Sequence, residues 1–216
     1  MKLDIRSGDR LIGKRVLITA GPTWVAIDKV RVISNIATGK TGILLAEKLS
    51  ALGAKVTLLL GPVEVCCLNR KIKLISFKFF EELNCLFERE LKNRKYDIIV
   101  HSAAVADYAP AKIFRNKVRS GIKNFQIKLA PTVKIIDLLR KISPRSFIVG
   151  FKFEPDAKKQ MLLKEAADLM RRANLDLVVA NSNIYGKYSA YFVGSNINSG
   201  PYLSKEGMVD KLVKIL

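Results

Sequence analysis

The stretch RVLITAGPT at residues 15–23 decides the predicted fold. Its first five residues have the apolar character of a buried strand, and the Ala-Gly-Pro triplet that follows ends the strand. Residues 41–52 then carry apolar side chains at helical spacing, closed by Gly53, and residues 55–60 (KVTLLL) show a second strand pattern. This strand–helix–strand order predicts the first unit of a parallel sheet.

Strand and helix patterns go on alternating towards the end of the chain. They predict strands at residues 73–77, 96–100, 147–151 and 175–180, a hairpin near 190–194, and helices at 80–92, 131–141 (with Pro131 at its start), 158–172 and from 205 onward. The short links predict an α/β fold, a doubly wound, mainly parallel Rossmann-like sheet with helices on both faces. We expect one domain over residues 1–216, with a small arm at about 109–130 and a hairpin at about 183–202.

The composition excludes several classes of protein. Hydrophobic residues make up 49% of the 216 residues, enough to bury a core, so the chain is not a disordered basic tail. Its apolar runs are shorter than the roughly 20 residues that cross a bilayer, and its first residues lack the apolar core of a signal peptide. We therefore expect a cytoplasmic protein with no membrane partner.

The chain is strongly basic, with 38 Lys and Arg against 19 Asp and Glu and a net charge of +19. Such a charge attracts nucleic acid, an anionic membrane surface or a phosphorylated substrate. The cations are scattered among carboxylates on predicted helices, which favours ordinary solvated faces over a nucleic-acid surface.

Cysteine and histidine do not form a metal-binding pattern. Cys66, Cys67 and Cys85 contain no C-x-x-C pair, and His101 is the single histidine. The thiols are expected to be idle in a reducing compartment. His101 follows a strand and could act as a base, but a lone histidine is more typical of a packed structural residue, and no Ser–His–Asp set accompanies it.

Ligands of doubly wound sheets bind at the carboxyl ends of the strands, so the residues after each strand are the candidates for chemistry. Gly39 and Gly42 open a predicted helix, where free backbone N–H groups can bind phosphate, with Asn35 and Thr38 as added polar groups. The alternative is a tight turn without a ligand. Ser34 replaces the first glycine of a Walker A loop, and no G-x-G-x-x-G follows the first strand.

Two other segments follow strands. In AAVADY, residues 103–108, the small side chains would let a ligand approach the backbone and Asp107 offers a carboxylate, although close packing alone would also explain them. Phe151 and Lys152 could stack on a base and reach a phosphate. Their alternative is a core phenylalanine beside a lysine that extends to solvent.

A basic loop carries Lys112, Arg115, Lys117 and Arg119 and ends in Ser-Gly. A mobile basic loop over a nucleotide can neutralise charge that develops during phosphoryl transfer. A solvated loop is the equally open alternative.

Taken together, the ordered segments resemble the phosphopantothenoylcysteine synthetase family, the phosphopantothenate–cysteine ligases of coenzyme A synthesis. The matching segments are ITAGPT (18–23), IDKVRVISNIATGKTG (27–42), AAVADY (103–108), NKVRSG (116–121), VGFKFE (149–154) and NLDLVVAN (174–181).

The resemblance implies that CTP or ATP transfers its nucleotidyl group to the carboxylate of 4′-phosphopantothenate, and that the amine of cysteine then displaces the nucleotide. It also implies Mg²⁺, a homodimer that exchanges the arm at 109–130, and no flavin in this chain. Many bacterial relatives carry a flavin-dependent decarboxylase before this domain, so the chain looks like a stand-alone ligase or a detached domain.

The resemblance also implies roles for single residues. Asn35 would contact the phosphopantothenate portion and the acyl intermediate, Lys117 would support the second half-reaction, and Asp107 would touch substrate or metal. Arg31 would hold the substrate phosphate across the dimer interface. The resemblance further implies that Ala103 and Ala104 contact the substrate. It implies nucleotide contacts for Gly21, Gly39, Gly42, Phe151 and Asn181. Thr38 and Lys152 are expected to contact the nucleotide because of their own side-chain chemistry.

Several positions depart from the family pattern. Ala37 stands where a serine is common, Val25-Ala26 replaces a frequent Glu-Pro, and the K-x-K-K loop becomes KVRS at 117–120. Leu169 and Ala173 replace lysines that reach the triphosphate in many bacterial members, and Arg171 and Arg172 beside them could substitute. Two other classes, an NAD(P)-binding oxidoreductase and a basic nucleic-acid-binding protein, stay open as alternatives.

Overall fold

The computed structural model describes residues 11–64 and 68–216, so Cys66 and Cys67 lie outside it. Its strands are β1 Arg15–Ala20, β2 Trp24–Ala26, β3 Val32–Ser34, β4 Lys55–Leu60, β5 Lys73–Ser76, β6 Ile98–His101, β7 Tyr108–Pro110, β8 Leu129–Pro131, β9 Phe147–Phe153, β10 Leu177–Ile184, β11 Lys187–Gly194 and β12 Asn198–Tyr202. Its helices are α1 Lys40–Ala51, α2 Phe80–Asn93, α3 Ile135–Ile142, α4 Lys159–Ala173 and α5 Lys205–Ile215.

Eight strands form the main sheet in the order β12-β11-β10-β9-β6-β1-β4-β5. The six strands from β10 to β5 are parallel, and β11 and β12 extend one edge antiparallel. This confirms the predicted doubly wound α/β fold. The chain runs outward from β1 through β4 to β5 and then returns to β6 on the other side of β1. The carboxyl ends of β1 and β6 therefore flank the point where strand order reverses, which is where such sheets bind ligands.

Helices cover both faces of the sheet, as predicted. Side chains alternate along β1, so Val16 and Ile18 pack with α1 and α5 while Leu17 packs with α2, α3 and α4. None of the described helices combines the length and apolarity needed to cross a bilayer.

Two short antiparallel ladders, β2–β3 and β7–β8, lie outside the main sheet. Backbone hydrogen bonds tie together the two segments that lead from the main sheet to these ladders, since the N–H of Thr23, before β2, donates to Ala104 and the N–H of Ala104, before β7, donates to Gly21. The sequence did not indicate these three-residue strands, because so short a segment carries no measurable periodicity.

The helix prediction at 131–141 is wrong at its start. Pro131 ends β8, where it pairs with Tyr108, and α3 begins only at Ile135. A proline that can begin a helix also fits an edge strand, because neither position needs its missing N–H.

Residues 190–194, where a hairpin was predicted, form the last part of β11, which pairs antiparallel with β10 on one side and with β12 on the other. The region at about 183–202 holds two turns, one between Gly194 and Ile197 and one at Tyr185 and Gly186, whose φ angles are 48° and 79°. Two successive positive φ values are typical of the tight turn that suits strand twist. Two strands also begin later than predicted, at Ile98 and Leu177.

Gly42 fixes the position of α1 against the switch point. A Cβ built at this glycine would lie 2.5 Å from the Cβ of Ala20 and 2.8 Å from the Oγ of Ser102. Ala20 ends β1 and Ser102 directly follows β6, so the first turn of α1 rests on the ends of both central strands. The glycine is therefore explained by packing, whether or not a phosphate binds nearby.

We predict that Gly42→Ala destabilises the fold, because the added methyl group overpacks this contact at a cost of about 1–3 kcal/mol. Urea unfolding of Gly42→Ala and of the neighbouring control Thr41→Ala measures the effect. Thr41→Ala should leave stability nearly unchanged. A Gly42→Ala protein as stable as the parent would contradict the contact.

Candidate functional site

A cleft of about 760 Å³ opens at the carboxyl ends of β6, β9 and β10, between α3 and α4. Its lining combines residues that the sequence analysis singled out with others that it missed. The predicted ones are Asn35, Ala103, Ala104, Asp107, Phe151, Lys152 and Asn181. Arg172, expected as a substitute for a lost lysine, and Glu154 of the matching segment 149–154 line it too, and the additional residues include Thr132, Lys134, Glu165 and Asp168.

Asn35 is held in a defined orientation at the edge of this cleft. Its Nδ2 donates hydrogen bonds to the backbone carbonyl oxygens of Ala104 and Val105, at 3.1 and 3.2 Å. An asparagine amide has two donor hydrogens and one acceptor oxygen, so both donors are used by the protein. The side-chain oxygen of Asn35 is left to accept a hydrogen bond from a ligand.

The cations of the cleft are already paired with carboxylates. Lys152 Nζ lies 2.7 Å from Glu154 and 3.4 Å from Glu165. Burial lowers the pKa of Lys152, but these two carboxylates outweigh burial and raise it. Lys134 forms an ion pair with Asp107 across the cleft. Lys152, predicted to reach a phosphate, is therefore held by protein carboxylates instead.

The charges that line the cleft do not favour an anion by themselves. Three cations, Lys134, Lys152 and Arg172, face four carboxylates, namely Asp107, Glu154, Glu165 and Asp168. A ligand with phosphate groups needs positive charge from outside this set.

The other predicted residues do not line the cleft. Gly21 and Gly39 have φ angles of 79° and 68°, and a Cβ on Gly21 would come within 3.2 Å of Gly61. Positive φ and backbone-to-backbone packing account for both glycines. Thr38 Oγ1 accepts a weak hydrogen bond from the N–H of Lys40, at 3.4 Å, within the turn before α1. A contact of these residues, or of Gly42, with nucleotide phosphates stays a prediction.

A family model described as the DNA/pantothenate metabolism flavoprotein C-terminal domain matches residues 11–214. The chain belongs to this family. A coenzyme A biosynthesis bifunctional protein CoaBC of Thermococcus kodakarensis is 40% identical over 172 residues, which cover 80% of this chain and 42% of the relative. A cysteine/cysteine sulfinic acid decarboxylase of an unknown prokaryotic organism is 38% identical over 174 residues, covering 80% of this chain and 46% of that protein.

Among solved structures, the C-terminal domain of a CoaBC superposes with a TM-score of 0.76 and 26% identity, covering 94% of both chains. The chain thus spans less than half the length of the two curated relatives and nearly all of this solved domain. The family resemblance drawn from the ordered segments is confirmed.

In this member of the family, a buried carboxylate anchors the basic arm. Asp28 accepts hydrogen bonds from the N–H groups of Val30, Arg31 and Val118, and it pairs with the Arg31 guanidinium at 3.1 Å. The guanidinium also donates to the carbonyl of Val118. The hydrogen bond from Val118, together with those of Val30 and Arg31, keeps the pKa of Asp28 below its usual range against the opposing effect of burial.

This anchor places Lys117, which is exposed, beside Asp28 and not in the cleft of its own chain. Arg31 is likewise engaged by Asp28. The sequence analysis missed Asp28, although an aspartate followed by a turn that hydrogen-bonds its carboxylate is a recognisable local pattern.

The departures from the family pattern have distinct places in the structure. Leu169 and Ala173 are buried in the core formed with α2 and α3. Arg172 lines the cleft and pairs with Asp137 at 2.9 Å. Arg171 pairs with Asp168, keeps 75% of its side chain exposed and does not line the cleft. One of the two neighbouring arginines is thus placed to replace a lost lysine.

No three His, Cys, Asp or Glu side chains of residues 11–64 and 68–216 converge on a point that could hold a metal ion. Mg²⁺ commonly takes one or two carboxylates and completes its shell with water and substrate phosphates. Asp107, exposed at the cleft, fits that role as a single protein ligand.

His101 is buried against Phe87, and its Nδ1 lies 2.8 Å from the hydroxyl of Thr19. Burial lowers the pKa of the imidazole to about 4. The ring is neutral at pH 7 and is packed beneath the cleft, in the structural role that the sequence favours.

We predict that His101 makes the fold acid-sensitive. Its folded pKa lies below the unfolded value of about 6.5, so the unfolded chain takes up the proton first and stability falls as the pH drops from about 6.5 towards 4. Between pH 7 and 4.5 the parent should lose about 2 kcal/mol more than His101→Asn, measured by urea unfolding. Parallel pH profiles would contradict this assignment.

Proposed function

We propose that the chain catalyses the ligation of 4′-phosphopantothenate to cysteine, driven by CTP or ATP. The observation that carries the proposal is the oriented amide of Asn35 above the cleft at the switch point, in a chain of this family. Both matched features, the segment around Asn35 and the small residues Ala103 and Ala104, meet in one site.

In the first step, a carboxylate oxygen of 4′-phosphopantothenate attacks the α-phosphorus of the nucleotide. The bond from that phosphorus to the bridging oxygen breaks, and pyrophosphate leaves with the electron pair. The segment that leads into α3 faces the cleft with Val133 and Lys134, and α3 begins there at Ile135, so a helix N-terminus and a lysine border the space for phosphates. Arg172 borders it from α4.

In the second step, the cysteine amine attacks the acyl carbon. The amide bond forms, the amine loses a proton, and the nucleoside monophosphate leaves with the bonding pair of the acyl–oxygen bond. The reaction needs no covalent nucleophile on the protein, and His101, buried and hydrogen-bonded to Thr19, has no part in it. Asn35 orients the acyl group, since its free amide oxygen can accept a hydrogen bond from the pantothenoyl portion.

Because the cleft lacks net positive charge, two anionic reagents require further cations. We propose that Lys117 of the partner subunit in a homodimer supplies one of them, since the arm holds it away from its own cleft. Mg²⁺ bound with the nucleotide, with Asp107 as a ligand, would supply positive charge at the phosphates.

Pyrophosphate release tests the proposal. CTP or ATP with Mg²⁺ should release pyrophosphate only when 4′-phosphopantothenate is present, and added cysteine should yield phosphopantothenoylcysteine and one nucleoside monophosphate per turnover. Comparing the two nucleotides decides which one is the substrate. No pyrophosphate with either nucleotide in the complete mixture would refute the ligase.

Asn35→Asp should lower kcat/KM for 4′-phosphopantothenate by roughly 30-fold or more. The carboxylate cannot donate to the carbonyls of Ala104 and Val105, and it repels an anionic substrate. Steady-state kinetics check this, with Asn196→Asp, an exposed position outside the cleft, as the control. Equal kinetics for both variants would remove Asn35 from the site.

Lys117→Gln should slow amide formation more than pyrophosphate release, because its charge is needed when the second bond forms. Lys123→Gln on the same arm is the control. Mixing Lys117→Gln with Asn35→Asp should restore about a quarter of the parental ligation if the lysine acts on the partner's cleft, since each mixed dimer then has one intact site. No gain on mixing would place Lys117 in its own cleft or in none.

A further inference from the structure

A second cleft, of about 700 Å³, lies at the opposite end of the sheet. The amino ends of β1 and β4 form its floor, and the carboxyl ends of α1 and α2 border it. A strand rises about 3.3 Å per residue, so the six residues of β1 separate this amino-end cleft from the carboxyl-end cleft by about 15–20 Å. The proposed ligation does not use it.

Five cations surround the amino-end cleft: Arg15, Lys55, Lys71, Lys73 and Arg94. Arg15 and Lys55 are register partners on neighbouring strands, and Lys73 pairs in register with Thr57 on the next strand. The cations therefore come from adjacent strand ends and converge on one cavity.

Two carboxylates near the cleft offset part of this charge. Asp97 accepts a hydrogen bond from the backbone N–H of Arg15 at 2.9 Å and pairs with Lys14 at 3.3 Å. Glu90 lies beneath the cleft, 3.0 Å from Lys73 and 3.5 Å from Arg94. Within the part of the chain that the structure describes, Arg15, Lys55 and Lys71 have no carboxylate within 4 Å of their charged groups.

The five lining cations against the two carboxylates Glu90 and Asp97 leave an excess of three positive charges. The two helix ends reduce it by about half a charge each. The carboxyl-end cleft, by contrast, has one more carboxylate than cations.

A buried hydroxyl without a partner also lines this cleft. Ser50 is 6% exposed, and among the described residues its Oγ has no hydrogen-bond partner. The neighbouring hydroxyls are engaged, since Tyr96 donates to Glu90 at 2.8 Å and lies 3.2 Å from the Thr57 hydroxyl. A buried polar group without a partner is costly, so the Ser50 hydroxyl calls for an acceptor from outside the chain.

We propose that the amino-end cleft binds a small anion that carries more than one phosphate group. Phosphate oxygens would accept the hydrogen bond of Ser50 and pair with the unpaired Lys55, Lys71 and Arg15. The cations converge on a cavity with a buried hydroxyl inside it, which fits a compact ligand better than the backbone of a nucleic acid, whose contacts spread along an open surface. Because the site is remote from the reacting groups, a ligand bound there takes no direct part in the proposed ligation.

Calorimetric titration with inorganic triphosphate tests whether the cations of the amino-end cleft bind an anion. Lys55→Gln/Lys71→Gln should weaken binding at least about tenfold, because two charge-assisted contacts are lost. The control Lys141→Gln/Lys211→Gln removes two exposed lysines outside both clefts and lowers the net charge equally. Arg172→Gln, in the carboxyl-end cleft, should leave this binding unchanged. Equal weakening by both double variants, or loss in Arg172→Gln, overturns the site.

Ser50→Ala separates a ligand contact from a structural role. The variant should bind triphosphate several-fold more weakly, yet unfold at the same or a higher temperature without ligand, because its hydroxyl stabilises nothing in the free chain. Unchanged binding overturns the proposal. A lower unfolding temperature also overturns it, since the hydroxyl then has an internal partner.

A single-stranded oligonucleotide provides the remaining comparison. The oligonucleotide could compete with triphosphate in a way that depends on Lys55 and Lys71 and weakens steeply with salt. That result would make the cleft a nucleic-acid surface and overturn the small-anion assignment. The kcat of ligation and the KM for the nucleotide should be unchanged in these variants, because the proposed reaction uses the carboxyl-end cleft. This readout keeps a failure of the amino-end site distinct from a failure of the proposed ligase.

Discussion

The contact of Gly42 with the ends of β1 and β6 is the constraint on which the rest of the architecture depends. The strand order reverses between these two strands, so a crevice must open where they end. Because Gly42 has no side chain, the first turn of α1 can rest on Ala20 and Ser102. That seating positions the preceding segment, and with it the amide of Asn35, over the backbone that follows β6.

The two clefts at opposite ends of the sheet differ in how their charges are compensated. In the carboxyl-end cleft, Lys152 and Lys134 are held by carboxylates, so an anionic ligand has to displace existing ion pairs. The proposed ligation would therefore depend on a further cation, brought by the partner arm or with the nucleotide. In the amino-end cleft, no carboxylate of the described residues forms an ion pair with the charged groups of Arg15, Lys55 or Lys71, which suits simple anion binding.

Much of the fold follows from periodicity in the sequence. The apolar runs and amphipathic helices place five helices and the parallel strands, because each element buries a face with its own spacing. Periodicity did not reveal the short ladders, because a three-residue strand shows no period. It also did not place Pro131 in a strand, because proline fits both the first turn of a helix and an edge strand.

The candidate site was predictable in part. Small residues after strands and the segment around Asn35 mark it. Position in the sheet, together with the family resemblance, predicts seven of the lining residues: Asn35, Ala103, Ala104, Asp107, Phe151, Lys152 and Asn181. The ion pair of Lys134 with Asp107 and the clamp of Asp28 on Val118 join residues 27 and 90 positions apart, which no local pattern reveals. Lys117 is the opposite case, since the sequence indicated it as a site residue. It matches a family position but lies outside the cleft of its own chain.

Hydrogen exchange of the backbone amides in the presence of Mg²⁺, 4′-phosphopantothenate and CTP or ATP shows whether the proposed substrates bind in the carboxyl-end cleft. We predict that they protect residues 102–107, 132–137 and 151–154, which surround this cleft. Protection that appears instead at residues 50–57 and 71–96, with those segments unchanged, would contradict it.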